Sequence, residues 1–165
     1  MRLRLTGPLT RTGALYALLA LVVDQASKLA VLHGVDFGDD GKVTVLPFLD
    51  FVRAWNTGIS YGMFAGGADG WWLLGGLKIA AAVLFWFWLA RTERRVEAVA
   101  LGLLIGGALG NAIDRVAYGA VFDFVSLHAF GFYWYVFNLS DVAIVAGVAL
   151  LLYDSFFGGA QKTPS

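Results

Sequence analysis

The chain has 165 residues, 59% of them hydrophobic and 15% charged, with a mean hydropathy of +0.71. That composition excludes an ordinary soluble domain, and a formal net charge of zero leaves no electrostatic footprint for nucleic acid. The lack of cysteine excludes disulfides, thiolate catalysis and thiolate metal sites, and the two histidines, His33 and His128, are too few for a histidine-built metal centre.

Four apolar stretches reach or approach the length needed to cross a hydrocarbon core of about 30 Å. Residues 1 to 12 carry Arg2, Arg4 and Arg11 and lead into a run from Gly13 to Leu32. No small-x-small cleavage site follows this run, and it continues through Asp24, Ser27 and Lys28, so it reads as an uncleaved first span. Residues 33 to 70 carry Gly, Asp and short alternating runs. DDGK at 39–42 signals a turn, and VTVLPFLDFVRAWN after it has strand character, with Pro47 at an edge or break. A small sheet lying on the membrane face is expected there.

The second span is Trp71 to Ala90, with tryptophans near both ends as interfacial belts have them. A charged loop, Arg91 to Arg95, leads to the third span, Val96 to Ile113, where Gly102, Gly106 and Gly110 recur every four residues and let another helix approach closely. After a loop at 116–136, the fourth span runs from Phe137 to about Phe156, and a polar tail follows. The expected fold is an all-α membrane protein, a single membrane domain over 1–165. Four transmembrane helices carry a small extracytoplasmic β-sheet or lid section between helices 1 and 2.

Arg2, Arg4, Arg11, Arg91, Arg94, Arg95 and Lys162 fall before span one, between spans two and three, and after span four. By the positive-inside rule that side, with both termini, is cytoplasmic. The 33–70 section, with Asp36, Asp39, Asp40, Asp50 and Asp69, and the 116–136 loop then face outward.

Polar residues converge near the outward side. Counted from the outer span ends, Asp24 lies roughly 14 Å deep, Lys78 roughly 10 Å, Lys28 roughly 8 Å and Asp141 roughly 6 Å, while Asn111 and Asp114 close span three. Asp24 and Lys28 stand at i and i+4 and read as a buried pair or a lipid headgroup contact. Asp114 with Arg115 reads as a structural ion pair, Lys78 as a residue that snorkels to the surface, and His128 as an exposed loop residue. Asn138 and Asp141 stand at i and i+3 in the first turn of span four, where the helix N-terminus favours a carboxylate. Asp123 sits in a loop between phenylalanines, so Asp141 is expected to be the more ionised of the two at rest.

Polar groups are expensive at membrane depth, and a wet site built from several of them calls for a function. Two neighbouring carboxylates can share a proton: one draws a proton from water while its protonated partner donates to a peptide carbonyl. Amides nearby steady the tetrahedral intermediate. The same residues also suit a proton- or ion-coupled carrier, or a non-enzymatic scaffold. A carrier calls for polar residues on both sides of the midplane and for paired repeats, whereas the inner half holds acids only at Glu97 and Asp154, near its boundary. From the residues alone these readings stay open.

Five blocks follow one another in the chain: DQASK at 24–28, NTGISYG at 56–62, GNAIDR at 110–115, VFDF at 121–124 and FNLSD at 137–141. With these blocks the chain resembles, over nearly its whole length, the lipoprotein signal peptidases (signal peptidase II), the membrane aspartic peptidases of bacteria. The resemblance implies a catalytic dyad of Asp123 and Asp141. It implies supporting and substrate-binding roles for Asp24, Lys28, Asn56, Gly58, Asn111, Asp114, Arg115 and Asn138, and neither cofactor nor metal. It implies further that a prolipoprotein already carrying diacylglycerol on its lipobox cysteine is cut just before that cysteine, in the bacterial cytoplasmic (inner) membrane. The partners so implied are this substrate and membrane lipid, not nucleic acid, with the chain acting as a monomer. Ser140 stands where alanine is usual and offers a hydrogen bond near the dyad; Tyr61 stands where phenylalanine is common. Gly58, Gly62, Gly66 and Gly67 suit a mobile lid over the site.

Overall fold

A computed structural model of the chain describes residues 4–58 and 70–157, the side chain of Trp71 apart. Its elements are α1 (Thr10–Gly34), β1 (Lys42–Leu46), β2 (Leu49–Asn56), α2 (Gly70–Leu89), α3 (Arg95–Tyr118), β3 (Val121–Ala129), β4 (Phe132–Phe137) and α4 (Leu139–Phe157). Arg2, Tyr61, Gly62, Gly66, Gly67, Asp69, Lys162 and the polar tail lie outside the described residues.

Each of the four helices is long and apolar enough to cross a membrane, but they are not equivalent. The most apolar window of α3 is 67% buried, against 22%, 22% and 17% for α1, α2 and α4. Helix α3 is therefore the core of the bundle, and the other three wrap it while turning leucines and valines such as Leu18, Leu77, Leu84, Val145 and Leu152 outward. Small residues make this possible. A side chain at Gly102 or Gly106 would run into the backbone carbonyl of Gly13 or Ala17 on α1, and one at Gly107 would meet that of Ser140 on α4. The backbones meet because nothing stands between them.

Helix α3 ends at Gly119, whose φ of 73° lies in the left-handed region and whose N–H returns to the Arg115 carbonyl at 2.9 Å. That turn delivers the chain directly into β3. The four strands form one antiparallel sheet in the order β1-β2-β3-β4. Strands β2 and β3 join its two hairpins, with Ala54 opposite Asp123 and Asn56 opposite Val121. A register shift between Phe51 and Ala54 bulges β2 beside Asp123. Phe122, Phe124 and Val125 of β3 pack with Val31 and Phe37 into a second core. Trp55 lies on Phe122 at 5.2 Å and Phe51 on Phe124 at 5.7 Å. This core seats the sheet on the C-terminal ends of α1 and α3.

The four spans and the sheet after span one accord with the sequence, and the turn before β1 uses Gly38 and Gly41 at positive φ. Two features differ. The third helix runs on past Ile113 to Tyr118, so Asp114 and Arg115 are helical. The 116–136 segment, expected as a loop, supplies β3 and β4, half of the sheet. The first six residues of β3 are all buried, so the alternation that marks a half-exposed strand is missing. The hairpin turn lies at Phe130 and Gly131, with φ of 52° and 81°.

Candidate active site

The site begins with a buried cation. The Lys28 ammonium lies 2.8 Å from a carboxylate oxygen of Asp24 and 2.8 Å from one of Asp114, all three side chains being 5% exposed or less. Asp24 also accepts the Ser140 backbone N–H at 2.8 Å, and Asp114 accepts the Phe122 backbone N–H at 3.1 Å. Gln25 donates to Asp24, to Asp114 and to the Gly110 carbonyl at 3.2, 2.9 and 3.2 Å. Every oxygen of the two acids is engaged, which is what buried charge requires. The knot joins α1, α3, β3 and the start of α4. Gly110 makes room for it, since a side chain there would strike both Asp24 and the Ser140 hydroxyl.

Beside this knot stand Asp123 and Asp141, each held by amides. Asn138 donates to Asp123 Oδ1 at 2.6 Å and Asn56 to Asp123 Oδ2 at 3.1 Å. Asn111 donates to Asp141 Oδ1 at 3.0 Å, while Asp141 Oδ2 accepts the Asn138 N–H at 3.3 Å. The Asp141 N–H donates in return to Asn138 Oδ1 at 3.1 Å, which closes a reciprocal capping box at the start of α4. The amide oxygen of Asn111 accepts from both Lys28 and Asn138, at 3.3 and 3.2 Å, so one amide couples the knot to the pair.

Asp123 and Asp141 line one cavity of about 180 Å³, together with Asn56, Gly58, Lys78, Asn111, Arg115, Val121 and Tyr135. A water takes about 30 Å³, so the cavity has room for water beside a peptide group. Burial pushes the Asp123 carboxyl up to about 6; the bond from Asn56 opposes the rise, and the charge of Asp141 adds to it. Asp123 is therefore suited to hold a proton. Among the described residues no three His, Asp or Glu side chains are grouped so as to hold a metal ion.

The ten residues singled out in the sequence are thus brought together, though not all as expected. Asp24 and Lys28 form a buried pair and do not reach lipid headgroups. Asp114 pairs with Lys28 and not with Arg115, because adjacent residues on a helix point in different directions. Arg115 donates instead to the carbonyls of Asn111 and Gly58, both at 3.4 Å. Lys78 does not run to the surface but faces the cavity. His128 lies on β3, stacked on Tyr133 at 4.9 Å, with Nε2 3.3 Å from the buried Asp50. Ser140 serves through its backbone N–H, and its hydroxyl has no partner among the described residues. Sequence reasoning missed Gln25 and Tyr135. Gln25 was findable inside DQASK, whereas nothing local marks Tyr135.

The comparisons agree with this architecture. The family model described as Signal peptidase (SPase) II matches residues 16–157. A lipoprotein signal peptidase of Rhodopseudomonas palustris is 54% identical over 160 residues, covering 93% of this chain and 98% of its own. One of Methylobacterium radiotolerans is 52% identical over 153 residues, covering 92% and 90%. A bacterial membrane enzyme solved by the in meso method at 2.3 Å superposes with a TM-score of 0.78 at 27% identity, over 94% of this chain and 93% of that one. Family match, relatives and fold coincide over nearly the whole length, and the chain belongs to the signal peptidase II family, as a multi-pass peptidase of the bacterial inner membrane.

Proposed function

We propose that the chain removes the signal peptide from diacylglyceryl-modified prolipoproteins by cutting just before the lipidated cysteine, with Asp123 and Asp141 as an aspartic dyad. The observation that carries this reading is the pair of carboxylates on one cavity, each fixed by side-chain amides from a different element. In the reaction Asp141 takes a proton from water, the resulting hydroxide adds to the scissile carbonyl, and protonated Asp123 donates its proton to the carbonyl oxygen. When the tetrahedral intermediate collapses, the C–N bond breaks, the proton held by Asp141 passes to the leaving amine, and Asp123 recovers one from the hydroxyl. No covalent intermediate with the protein forms.

The substrate class is supported by what adjoins the pair. An apolar groove of about 470 Å³ runs from Asp141 along Val142, Val145, Ala146 and Ala149 of α4, under Trp134 and Phe137. Acyl chains lying there keep to hydrocarbon while the peptide reaches water. The cavity opens on the extracytoplasmic side, both termini are cytoplasmic, and Asn56, Gly58, Asn111, Arg115 and Asn138 position the substrate and the dyad.

Cleavage of a diacylglyceryl-modified prolipoprotein by the purified protein in detergent tests this, beside the unlipidated form and the Asp123→Asn and Asp141→Asn variants. Only the lipidated form is expected to be cut, and neither folded variant is expected to cut it. Turnover by either variant, or an inert wild type on a competent substrate, removes the proposal.

A further inference from the structure

Lys78 is the charged residue of the cavity that the peptidase reading leaves without a task. It stands about two turns inside α2, half-buried, where a lysine on the lipid face would snorkel outward. Instead it lines the cavity with Asp123 and Asp141. Among the described residues it has no ion pair and no hydrogen bond, and the charged side chains it shares the cavity with are Arg115, Asp123 and Asp141. Unpaired charge at this depth is expensive and calls for a compensating partner.

A census of charge around the cavity supplies that partner. Among the described residues the carboxylates are Asp24 on α1, Asp114 on α3, Asp123 on β3 and Asp141 on α4, and the cations are Lys28 on α1, Lys78 on α2 and Arg115 on α3. Strand β4 contributes only the phenol of Tyr135. Lys28 is shared between Asp24 and Asp114, which leaves that group with one negative charge, and Arg115 lies between this group and the aspartate pair, in the cavity lining and in the field of Asp123, Asp141 and Asp114 together. Lys78 and Arg115 both face the aspartate pair, and Arg115 is also tied to the carbonyls of Asn111 and Gly58, whereas Lys78 is not tied to any among the described residues. Four carboxylates against three cations are neutral when the pair keeps one proton, the state in which one aspartate is an acid and the other a base. Without Lys78 the cluster reaches neutrality only with a second proton on the pair, and no base is left to act on water.

We propose that Lys78 is a counter-cation of the aspartate pair, a positioning residue whose charge, added to that of Arg115, holds the pair at one shared proton over the working pH range. The inference rests on the assignment of Asp123 and Asp141 as the dyad.

The test is the pH dependence of kcat/KM for the full chain in detergent, cleaving a diacylglyceryl-modified prolipoprotein, for wild type, Lys78→Met and Lys78→Arg. Removing the positive charge makes each protonation of the pair easier, so Lys78→Met moves both limbs to higher pH, by roughly one unit. Lys78→Arg keeps both limbs in place. A purely structural lysine would lower turnover or thermal stability at every pH and leave the limbs where they are, and limbs of Lys78→Met coincident with wild type overturn the proposal. If Lys78→Met turns over too slowly for a profile, Lys78→Arg decides: restored turnover with wild-type limbs sustains the inference, and a folded Lys78→Arg protein as slow as Lys78→Met overturns it. Asp123→Asn and Asp141→Asn separate the two levels. If both are inert while the limbs of Lys78→Met stay put, the inference alone fails; if either cleaves, dyad and inference fall together.

Discussion

Asn138 serves both aspartates through one side chain. Its amide nitrogen fixes Asp123 at 2.6 Å and its amide oxygen caps α4 through the Asp141 N–H at 3.1 Å. Alanine there removes both bonds and leaves Asp123 with the single amide of Asn56. The expected result for Asn138→Ala is a kcat lowered roughly 100-fold with KM nearly kept, and a loss of about 1 kcal/mol of stability from the missing cap. Asn138→Ser can still cap the helix but is too short to reach Asp123, so it should recover the stability and not the turnover. Steady-state kinetics beside thermal unfolding distinguish the two, and recovery of both by serine would show that the bond to Asp123 is idle. A spacing of three residues between an amide and an acid makes this box legible in the sequence. Lys78 was not legible in the same way. A single lysine in an apolar helix looks like one that snorkels, and only the packing of α2 on α3 decides which way it faces.

Among the elements, α3 contributes the largest share of the site, Asn111, Asp114 and Arg115, and its small residues let α1 and α4 come close. Gly110 is where this packing meets chemistry, since a methyl group there would push against Asp24 Oδ2 and the Ser140 hydroxyl. Asp24 cannot retreat without leaving Lys28 and the Ser140 N–H, both at 2.8 Å. Gly110→Ala is therefore expected to cost about 1–3 kcal/mol by overpacking and to slow turnover by displacing Lys28 and, through it, Asn111. Gly76, which has open space around it, should accept alanine without either effect. Detergent-phase unfolding and cleavage rates of the two variants check the contrast, and equal behaviour would refute it. The four-residue glycine spacing makes such packing legible in the sequence, because small residues at that interval share one helix face. Strands β3 and β4 are hidden for the opposite reason: VFDFVS is buried on both faces and so lacks the alternation that betrays a strand. The pairing that gives Asp123 its place, with Ala54 across from it, joins segments that no local signal connects.

At the scale of the whole molecule, α2 and α4 both pack on α3 and leave between them the cavity with Lys78 on one wall and Asp141 on the other. The apolar groove continues from Asp141 along α4, so peptide chemistry and hydrocarbon meet at one residue. The depth of the polar groups, read from helix rise alone, pointed to one site near the outward ends of the helices, and of those groups Lys78, Asn111 and Asp141 line one cavity. The groove was not foretold, because its walls come from two elements together, β4 and α4, and neither marks it alone. If acyl chains lie in this groove, filling it should discriminate by chain length. Ala146→Phe narrows the groove about one turn beyond Asp141 without touching the aspartates. Displacing about two methylenes costs about 1.6 kcal/mol, so KM for a long-chain diacylglyceryl substrate should rise roughly tenfold, with kcat little changed. A substrate with acyl chains shortened by several carbons should lose most of that penalty, since it no longer needs the blocked length. Equal KM increases for long and short chains would place the lipid elsewhere, and a fall in kcat with both would mean that the phenylalanine had disturbed Asp141 itself.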